Sequence, residues 1–474
     1  MSESDGGTMA IKHVAVLDVG KTNAKVAVVD LTSLTELTVR RAPNAVLPGP
    51  PYPHFDIDAL WTFFSASLRD LGLDFQIDGL AVTAHGACGV LLTATGDLAA
   101  PVLDYEFDGP EETRKTYDEL RPDFSETGSP NLRNGLTLGA QIHWQLSRDP
   151  ELRSNIGHMV TWPQYWAWRL TGKLTCDISS LGCHTDLWNP HLGTWSSLPD
   201  RLGLAGRFAS PKRPGEIIGT LTPSLQTELG LKAVPVLCGI HDSNASLVPH
   251  LLQQEPPFAV VSTGTWVVAM AVGGARRNLD ASRDTLINVS AFGEAVPSAR
   301  FMGGREFELM AGGKPAILTE DSVKRVLDSS LMLLPAVVSD SGPYQGCEAR
   351  WSETPPDDAT LHVALAFYLA LMTAACLRMI GAAGPTLVEG PLARNPLFCR
   401  MLRSSTERPL IVSASSTGTA VGTALLFSPR IGSPQKSLVQ TADPMMLAYA
   451  RSWTSLAESL YASVAQQRTD RSPP

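Results

Sequence analysis

The stretch from residue 14 to residue 30 reads VAVLDVGKTNAKVAVVD, and it decides the fold of the N-terminal part of the chain. Its two apolar runs, Val14–Leu17 and Val26–Val29, predict two buried strands. The polar residues between them predict a tight turn, in which Gly20 lets the backbone bend sharply or approach a ligand. The amides of such a turn can donate hydrogen bonds to phosphate oxygens. The stretch therefore predicts either a phosphate-binding hairpin or an ordinary hairpin with a polar turn.

The tripeptide Gly20-Lys21-Thr22 invites comparison with a P-loop, which binds phosphate between a strand and a helix. A P-loop would need a glycine at position 15 and a helix directly after the tripeptide. The chain has Ala15 there, and the residues after the turn are strand-like. The sequence therefore excludes a P-loop. Asp18, at the end of the first strand, is instead a carboxylate of the kind that holds hydrated Mg²⁺.

A second strand–turn–strand pattern, VVSTGTWVVAMAV, occupies Val260–Val272. Its apolar runs again predict buried strands, and its turn, Ser262-Thr263-Gly264-Thr265, is rich in hydroxyl groups. Repetition of one device within a chain predicts two related half-molecules. We expect each half to contribute a phosphate-binding turn to a shared cleft. Paired turns of this type are typical of the group that contains actin, the sugar kinases and the heat-shock ATPases.

A candidate general base lies just before the second pattern, in the segment VPVLCGIHDSNA of Val234–Ala245. An apolar strand ends at Gly239 and is followed by His241 and Asp242. A carboxylate at the end of a buried strand suits the deprotonation of a substrate hydroxyl. The alternative is that Asp242 caps the helix that follows. For His241, a role in packing or hydrogen bonding is the simpler interpretation.

A third polar turn lies in the segment TLVEGPLARNPLFCRMLR of Thr386–Arg403. A short strand is followed by Gly390-Pro391 and then by a predicted helix. The backbone of such a turn can lie against a flat adenine face, while Asn395 can bond to the polar edges of a base. Downstream, Ser415–Leu426 predicts a helix of small residues that permits close packing.

Five segments, in this order, resemble the motifs of the FGGY family of carbohydrate kinases, in the branch that contains L-fuculokinase and L-rhamnulokinase. They are the first phosphate motif (18–25), the segment of the catalytic aspartate (239–242), the second phosphate motif (262–266), the adenosine motif (389–395) and the closing helix (417–425). The resemblance extends over residues 13–427. Glu389 and Pro391 depart from it, since glycine is usual at both positions, and residues 288–336 match no family segment.

The resemblance implies an α/β fold of two ribonuclease H-like domains, as in actin-like ATPases, with an active-site cleft between the domains. The expected N-terminal domain, residues 11–250, would bind the sugar and supply the catalytic base. The expected C-terminal domain, residues 256–430, would bind the nucleotide. A C-terminal helix is expected to end near residue 466, and residues 1–10 and 467–474 are expected to be tails.

The resemblance also implies roles for individual residues. Asp242 is the expected general base, and Asp18 and Asp242 are the expected metal ligands. The expected contacts to the ATP phosphates are Gly20, Lys21, Thr22, Asn23, Lys25, Thr263, Gly264 and Thr265. The expected adenosine contacts are Gly390, Pro391, Arg394 and Asn395. The expected sugar contacts are His85, Gly86, Asp108, His241 and Asp242.

Two segments carry the prediction of a sugar site. Ala81–Val90 predicts a strand followed by a loop at His85, and Asp104–Asp108, DYEFD, resembles the acidic segment of the family. Carboxylates and histidines bind vicinal diols well because each takes part in two directed hydrogen bonds. The alternatives are a hydrogen-bonded loop histidine and a solvated acidic turn. The aromatic residues of Trp162–Trp166, like Trp144, are expected in the core.

Composition excludes several classes of protein. The 474 residues are enough for two or more domains, and 44% hydrophobic with 18% charged residues excludes a disordered chain. The net charge of −9 and the lack of a basic run argue against a nucleic-acid surface. The longest uncharged apolar run, Val363–Leu377, falls short of the roughly 18–20 residues of a membrane span, so a buried core helix is predicted. Seven cysteines without a CxxC pair predict reduced thiols and a cytoplasmic location.

The predicted activity is MgATP-dependent phosphorylation of a terminal hydroxyl of a ketose. The forms of the two phosphate motifs favour L-fuculose or L-rhamnulose, whereas xylulose, ribulose and glycerol stay open. ATP and Mg²⁺ are the expected cofactors, and neither nucleic acid nor a membrane is an expected partner. Association into a homodimer is left open. The alternative of another class is an actin-like or heat-shock-like ATP switch, in which ATP turnover would not depend on a sugar.

Overall fold

The computed structural model describes residues 11–313, 316–413, 418–428, 436–439 and 442–471, and the chain forms two compact units. The N-terminal unit consists of Met1–Gln253, Ile287–Ala295 and Thr417–Gly432. The C-terminal unit consists of Gln254–Leu286, Val296–Ser416 and Ser433–Pro474. Both units are therefore discontinuous in sequence. The predicted tail 1–10 lies outside the described residues.

The first sheet belongs to the N-terminal unit, and its strand order is β5-β6-β4-β1-β2-β3, with β7 paired to β4. The strands β1, β2 and β3 are antiparallel, whereas β4 runs parallel to β1. Both β6 and β7 run parallel to β4. In chain order these strands are β1 His13–Val19, β2 Asn23–Asp30, β3 Thr35–Pro43, β4 Gly79–Ala84, β5 Ile217–Thr220, β6 Pro235–Leu237 and β7 Ile240–His241.

The second sheet lies mostly in the C-terminal unit, and its strand order is β10-β11-β9-β8-β12-β13-β14. Strands β8 and β9 form an antiparallel hairpin, and β12 runs parallel to β8. The hairpin of β1 and β2 with the parallel strand β4 has the same arrangement in the first sheet. In chain order the strands are β8 Phe258–Thr263, β9 Val267–Val272, β10 Thr285–Val289, β11 Ala295–Phe301, β12 Thr386–Glu389, β13 Leu410–Ser413 and β14 Lys436–Val439. The shared order confirms the predicted pair of related α/β halves.

The helices cover the sheets and are mostly short in the N-terminal unit. Those used below are α1 Ile57–Asp74, α2 Leu138–Arg148, α3 Trp162–Thr171, α4 Asp242–Gln253, α5 Gly303–Ala311, α6 Asp358–Met379, α7 Pro396–Thr406 and α8 Pro444–Arg471. The other α-helices are Arg114–Leu120, Phe124–Thr127, Leu152–Asn155, Ile178–Leu181, Leu198–Arg201, Pro223–Leu229, Glu320–Ser329 and Thr419–Ala424. Short 3₁₀ turns occupy Gly109–Thr113, Ala281–Arg283, Pro391–Arg394 and Leu425–Phe427.

Short strand pairs connect these elements: Val46–Leu47 with His54–Phe55, Gly89–Leu92 with His158–Thr161, Cys176–Asp177 with Pro211–Lys212, Trp188–Asn189 with Thr194–Trp195, and Leu333–Leu334 with Arg350–Trp351. The last helix, α8, continues to Arg471, so its predicted end near residue 466 is too early. Of the predicted small-residue helix, residues 414–417 lie outside the described part of the chain, and the helix is observed at Thr419–Ala424.

The apolar patterns of the sequence correspond to buried elements. Strands β1 and β8 are almost entirely buried. A strand inside a sheet whose two faces are both covered has apolar neighbours on each face, so nearly all of its side chains are apolar. Trp162 and Trp166, on α3, are fully buried and confirm the predicted core role of this segment. Helix α6 is long and apolar enough to span a membrane, yet 89% of its most apolar window is buried inside the protein. It is therefore a core helix, as predicted.

Candidate active site

The first hairpin turn connects β1 to β2 and is held by main-chain and asparagine contacts. Val19 pairs with Ala24, and the amide of Gly20 donates to the carbonyl of Asn23 at 3.0 Å. The buried Asn44 donates from Nδ2 to the Gly20 carbonyl at 2.8 Å, and its backbone amide donates to the Thr22 carbonyl at 2.9 Å. The side chains at positions 22 and 23 are exposed. Asn44 thus holds the backbone of the turn, while the side chains at its tip are exposed to solvent.

Asp18 and Lys25 form an ion pair across the two strands of this hairpin. Lys25 Nζ donates to Asp18 Oδ2 at 2.8 Å, and the Asp18 residue is only 5% exposed. Burial raises the pKa of Asp18, the charge of Asp242 adds to this increase, and the bond from Lys25 opposes it. A carboxylate that is buried near a second carboxylate needs a cation, and Lys25 supplies one.

Asp242 begins α4 and lies next to two neutral histidines. His241 Nε2 lies 3.2 Å from Asp242 Oδ1, while Asn244 Nδ2 lies 3.1 Å from His241 Nδ1. Because the Asn244 amide donates to Nδ1, the proton of the neutral His241 ring is on Nε2. Burial lowers the pKa of His241 to about 4 and that of His85 to about 4. Both rings are therefore uncharged near neutral pH.

The environment of Asp242 makes its carboxylate more basic than usual. Loss of solvation raises the pKa of Asp242, and the opposing influences are His85, the amide and hydroxyl of Ser243, and Lys25. About a third of the Asp242 side chain, 33%, is still exposed. A carboxylate that is more basic than usual and accessible to a ligand is well suited to accept a proton. Its position as the first residue of α4 also agrees with the alternative, helix capping.

A buried aspartate supports the backbone before Asp242. The hydroxyl of Ser179 accepts a hydrogen bond from the His241 amide at 3.1 Å and donates to Asp177 Oδ1 at 2.6 Å. Asp177 is fully buried, and burial raises its pKa to about 6. The sequence prediction missed Asp177, Asn44 and Asn244. Of these three residues, only Asp177 has a signal in the sequence, the Asp-x-Ser-Ser pattern of residues 177–180 that is typical of a helix cap.

Lys21 lies among acidic and aromatic side chains of the same unit. Its ammonium group forms ion pairs with Asp104 and with Glu106 Oε2, the latter at 3.3 Å. It also lies 5.2 Å from the ring centre of Phe55 and 5.3 Å from that of Tyr105. The predicted sugar contact Asp108 is exposed at the start of the 3₁₀ turn, so Asp104 and Glu106 are the members of the acidic segment that bind Lys21.

The second hairpin turn, in the C-terminal unit, is held by one hydroxyl group. Thr263 Oγ1 donates to the Glu389 carbonyl at 2.6 Å and accepts from the Leu392 amide at 3.1 Å. Thr263 is buried, whereas Gly264 and Thr265 are exposed at the tip. The amide of Gly264 donates to the Trp266 carbonyl at 2.9 Å, which closes the turn.

The predicted adenosine segment is packed against this second hairpin. Gly390 has a φ of +85°, and a Cβ atom there would lie 2.0 Å from the Thr263 carbonyl oxygen, so only glycine fits. Asn395 Oδ1 accepts from the Leu397 amide at 3.0 Å and the Phe398 amide at 3.2 Å, and so caps α7. Pro391 and Arg394 are exposed. The structure thus packs the turn predicted to bind phosphate against the segment predicted to bind adenosine.

The carboxylates of Asp18 and Asp242 fit a divalent cation only in part. Among the residues that the structure describes, no group of three or more histidine, cysteine, aspartate or glutamate side chains could hold a metal ion. Asp18 and Asp242 lie close enough that the charge of Asp242 raises the pKa of Asp18. Two hard oxygen donors match Mg²⁺, which retains waters and takes its other ligands from substrate phosphates.

Comparison with known families gives two matches that together cover most of the chain. Residues 13–249 match the model of the N-terminal domain of the FGGY family of carbohydrate kinases. Residues 255–436 match the model described as carbohydrate kinase FGGY, C-terminal domain. Whether these domains have the boundaries expected from the sequence, 11–250 and 256–430, stays a prediction.

Curated relatives match part of the chain. An L-fuculokinase of Salmonella typhi is 27% identical over 55% of this chain and 57% of its own length. A rhamnulokinase of Klebsiella pneumoniae is 24% identical over 54% of this chain and 53% of its own length. The chain therefore spans about half the length of the curated relatives it matches.

Solved structures match the whole architecture. A carbohydrate kinase from Novosphingobium aromaticivorans is 34% identical, with 94% of this chain and 100% of that chain covered and a TM-score of 0.87. A xylulose kinase from Lactobacillus acidophilus is 13% identical, with 97% and 100% covered and a TM-score of 0.79. At that identity the second likeness supports the fold alone.

Proposed function

Because the chain belongs to the FGGY family of carbohydrate kinases, we propose that it transfers the γ-phosphoryl group of ATP to a terminal hydroxyl of a ketose. The observation that carries this proposal is the environment of Asp242, a partly exposed carboxylate of raised pKa at the start of α4. The neighbouring His241, whose Nε2 lies 3.2 Å from the carboxylate, is neutral, so no charged histidine opposes proton uptake by Asp242.

In this proposal, Asp242 acts as the general base. The substrate hydroxyl gives its proton to the Asp242 carboxylate while its oxygen attacks the γ-phosphorus, and ADP departs with the bonding electrons. The pair of residues Ser179 and Asp177 holds the backbone of His241, and hence the position of the base. The exposed third of Asp242 is the part that would receive the hydroxyl group.

The two hairpin turns are the proposed phosphate sites. The amides of Gly20 and Gly264 donate within their own turns, so the proposed phosphate donors are the exposed side chains of Thr22 and Asn23 in the first turn and of Thr265 in the second. Asp18 and Asp242 are the proposed ligands of Mg²⁺, with Lys25 balancing the charge of Asp18. When bound, the cation would neutralise charge on the phosphate oxygens. Gly390, Pro391, Arg394 and Asn395 are the proposed adenosine contacts.

The favoured acceptors are L-fuculose and L-rhamnulose or a related ketose. The similarity to an L-fuculokinase and to a rhamnulokinase supports this choice, at 27% and 24% identity. Xylulose, ribulose and glycerol are the alternatives, because one methyl group in a pocket changes selectivity by only about 1–3 kcal/mol. We also propose a cytoplasmic location, which the free thiols of all seven cysteines support.

The test is a coupled ADP-release assay with MgATP and a panel of L-fuculose, L-rhamnulose, both xyluloses, both ribuloses and glycerol. We expect one sugar to raise the rate strongly, and Asp242→Asn to lower kcat by about 10²-fold or more while MgADP still binds. Asp74→Asn, an exposed carboxylate at the end of α1, is the matched control and should leave kcat unchanged.

Two results would contradict the proposal. A slow ATPase rate that no sugar changes would favour an ATP switch of the actin or heat-shock type. Near-normal turnover in Asp242→Asn, with a sugar-dependent rate in the wild type, would leave the kinase activity in place and remove Asp242 from the role of base.

A further inference from the structure

Lys21 lies in the first hairpin turn, where its sequence position predicts a phosphate contact, yet its side chain is engaged elsewhere. Only 16% of that side chain is exposed, and its ammonium group is paired with the buried carboxylate of Asp104 and with Glu106. The rings of Phe55 and Tyr105 lie on the same group, at 5.2 Å and 5.3 Å. The ammonium group is therefore enclosed by the acidic segment and two aromatic faces.

Moving Lys21 to a phosphate would be costly. The Asp104 side chain is only 10% exposed, and Lys21 is the cation that the structure gives it. Breaking a buried ion pair leaves an uncompensated charge in a poorly solvated place, which is strongly destabilising. The two aromatic faces would lose their contact with the cation as well. The exposed donors of Thr22 and Asn23 can serve a phosphate without any of these losses.

The surroundings of Lys21 continue to the proposed base. The ring of Tyr105 lies 5.1 Å from the ring of His85, and the ring of Phe55 lies 5.4 Å from it. His85 directly follows Ala84, which pairs with His241, the residue before Asp242. We call the surface formed by Lys21, Asp104, Glu106 and His85 the wall. The wall extends to Asp242, the carboxylate that would take the proton of the acceptor.

We propose that Lys21, Asp104 and Glu106 recognise the hydroxyl groups of an uncharged polyhydroxy acceptor, so that Lys21 determines acceptor specificity rather than phosphate binding. This inference rests on the proposed kinase function. The Lys21 ammonium group donates to one acceptor oxygen, and the largely exposed Glu106, at 64%, accepts from a neighbouring hydroxyl. A donor and an acceptor placed side by side match two adjacent hydroxyl groups.

The same wall disfavours an anionic acceptor such as a sugar acid. A carboxylate of the acceptor would have to displace Asp104 or Glu106 from Lys21, or lie beside them without a cation of its own. The neutral His85 supplies no positive charge to compensate. Neutral ketoses and polyols fit the wall, because they exchange hydrogen bonds with its charged groups and add no charge.

The test compares Lys21→Met with Lys232→Met, a control at an exposed lysine. Because Lys21→Met leaves Asp104 buried without its cation, the double variant Lys21→Met/Asp104→Asn is measured beside it. For each protein we measure KM for L-fuculose and for L-rhamnulose, KM for ATP, the Kd of MgADP by calorimetry, and the melting temperature. D-gluconate serves as the anionic probe.

We expect both Lys21 variants to raise the acceptor KM by about 10-fold or more, equivalent to about 1.4 kcal/mol, while KM for ATP and the Kd of MgADP stay within about twofold. D-gluconate should give no rate above that of ATP alone with the wild type. A weaker MgADP affinity in the variants, an unchanged acceptor KM in both folded variants, or efficient turnover of D-gluconate would each overturn the inference. Failure of the wild type with every sugar would instead contradict the proposed function, and the inference with it.

Discussion

The two hairpin turns have the same place in their sheets but are held by different chemistry. The first turn lies between Val19 and Ala24, and charged side chains surround it: the pair Asp18 and Lys25, and Lys21 with its two carboxylates. The second turn, between Thr263 and Val267, is held by the Thr263 hydroxyl, which bonds only to main-chain groups of the following segment.

This difference means that two similar hairpins contact different parts of the chain. In the first hairpin the side chains connect the turn to the acidic segment at residues 104–106, on the side where an acceptor would bind. In the second hairpin the hydroxyl connects the turn to Gly390 and its neighbours, on the side where adenosine would bind. We propose that the duplication supplies the turns and that the residues holding each turn determine which ligand it binds.

The largest expected effect comes from breaking the contact between the second hairpin and the adenosine segment. In Gly390→Ala, the new Cβ atom would lie 2.0 Å from the Thr263 carbonyl oxygen, on a backbone with a φ of +85°. We expect a loss of about 3–5 kcal/mol of unfolding free energy, measured by urea unfolding, and a weaker affinity for MgADP.

The matched control for this prediction is Gly312→Ala at the end of α5. Its φ is +58°, but a Cβ atom there meets nothing within 4 Å. It should cost only about 1 kcal/mol, the conformational penalty alone. Equal losses in the two variants would show that the close approach at Thr263 does not hold the second hairpin in place.

The second prediction concerns the buried carboxyl group of Glu306, which forms no ion pair with a lysine or arginine among the described residues. Helix α5 begins beside the second turn, where the Gly304 amide donates to the Thr265 carbonyl at 3.2 Å. On this helix, burial raises the pKa of Glu306 from 4.5 to about 7, against a hydrogen bond from the Val338 amide. The folded state therefore holds the Glu306 proton more tightly than the unfolded state does.

The sign of the pH effect follows from that difference. The stability contributed by protonated Glu306 is fully present below pH 4.5 and is lost as the pH rises through about 7. Glu306→Gln should remove this loss, so that the variant gains up to about 3 kcal/mol relative to the wild type between pH 5 and pH 8. Melting curves at both pH values test it, with Glu308→Gln on the exposed face of α5 as control. A parallel pH dependence in wild type and Glu306→Gln would contradict the prediction.

The smallest expected effect compares the two turns directly. At Gly264 an added Cβ atom would lie 3.8 Å from its nearest neighbour, the Trp266 carbonyl oxygen, which is an ordinary contact. At Gly20 it would lie 3.0 Å from the Asn23 carbonyl oxygen, so the first turn must shift. We expect Gly264→Ala to change the unfolding free energy by less than about 0.5 kcal/mol and Gly20→Ala to lower it by about 1 kcal/mol. The reverse order would mean that the second turn is the more tightly constrained one.

The sequence predicts these hairpins well because their signals are local. Apolar runs of strand length around a polar turn are visible at both Val14–Val29 and Val260–Val272, and the repetition reveals two halves. The aromatic helix α3 and the core helix α6 are likewise marked by composition alone. Residues 288–336 resemble no family motif in sequence, yet they lie within the match to the C-terminal domain model at residues 255–436, and they contain the strand β11, the helix α5 and the helix Glu320–Ser329.

The contacts that fix the candidate site were beyond the reach of sequence patterns. Asp104 meets Lys21 across 83 positions, and Ser179 meets His241 across 62. A pairing over such distances depends on how strands and loops pack, which no local periodicity encodes. The same reason explains why Asn44, behind the first turn, carried no signal of its own. The roles of these residues in phosphate, sugar and metal binding stay predictions.

The discontinuity of the N-terminal unit has a consequence for how the chain is made. The helix Thr419–Ala424 contributes Ala420, Val421 and Ala424 to one apolar cluster with Val14 and Val16 of β1. Gly422 lies so close to α4 that a Cβ atom would come within 2.0 Å of the Ala245 carbonyl oxygen. The ribosome therefore synthesises the first strand long before the helix that covers it. Until residue 424 has emerged, a growing chain carries an uncovered apolar sheet face, and chaperones would meet it in that state.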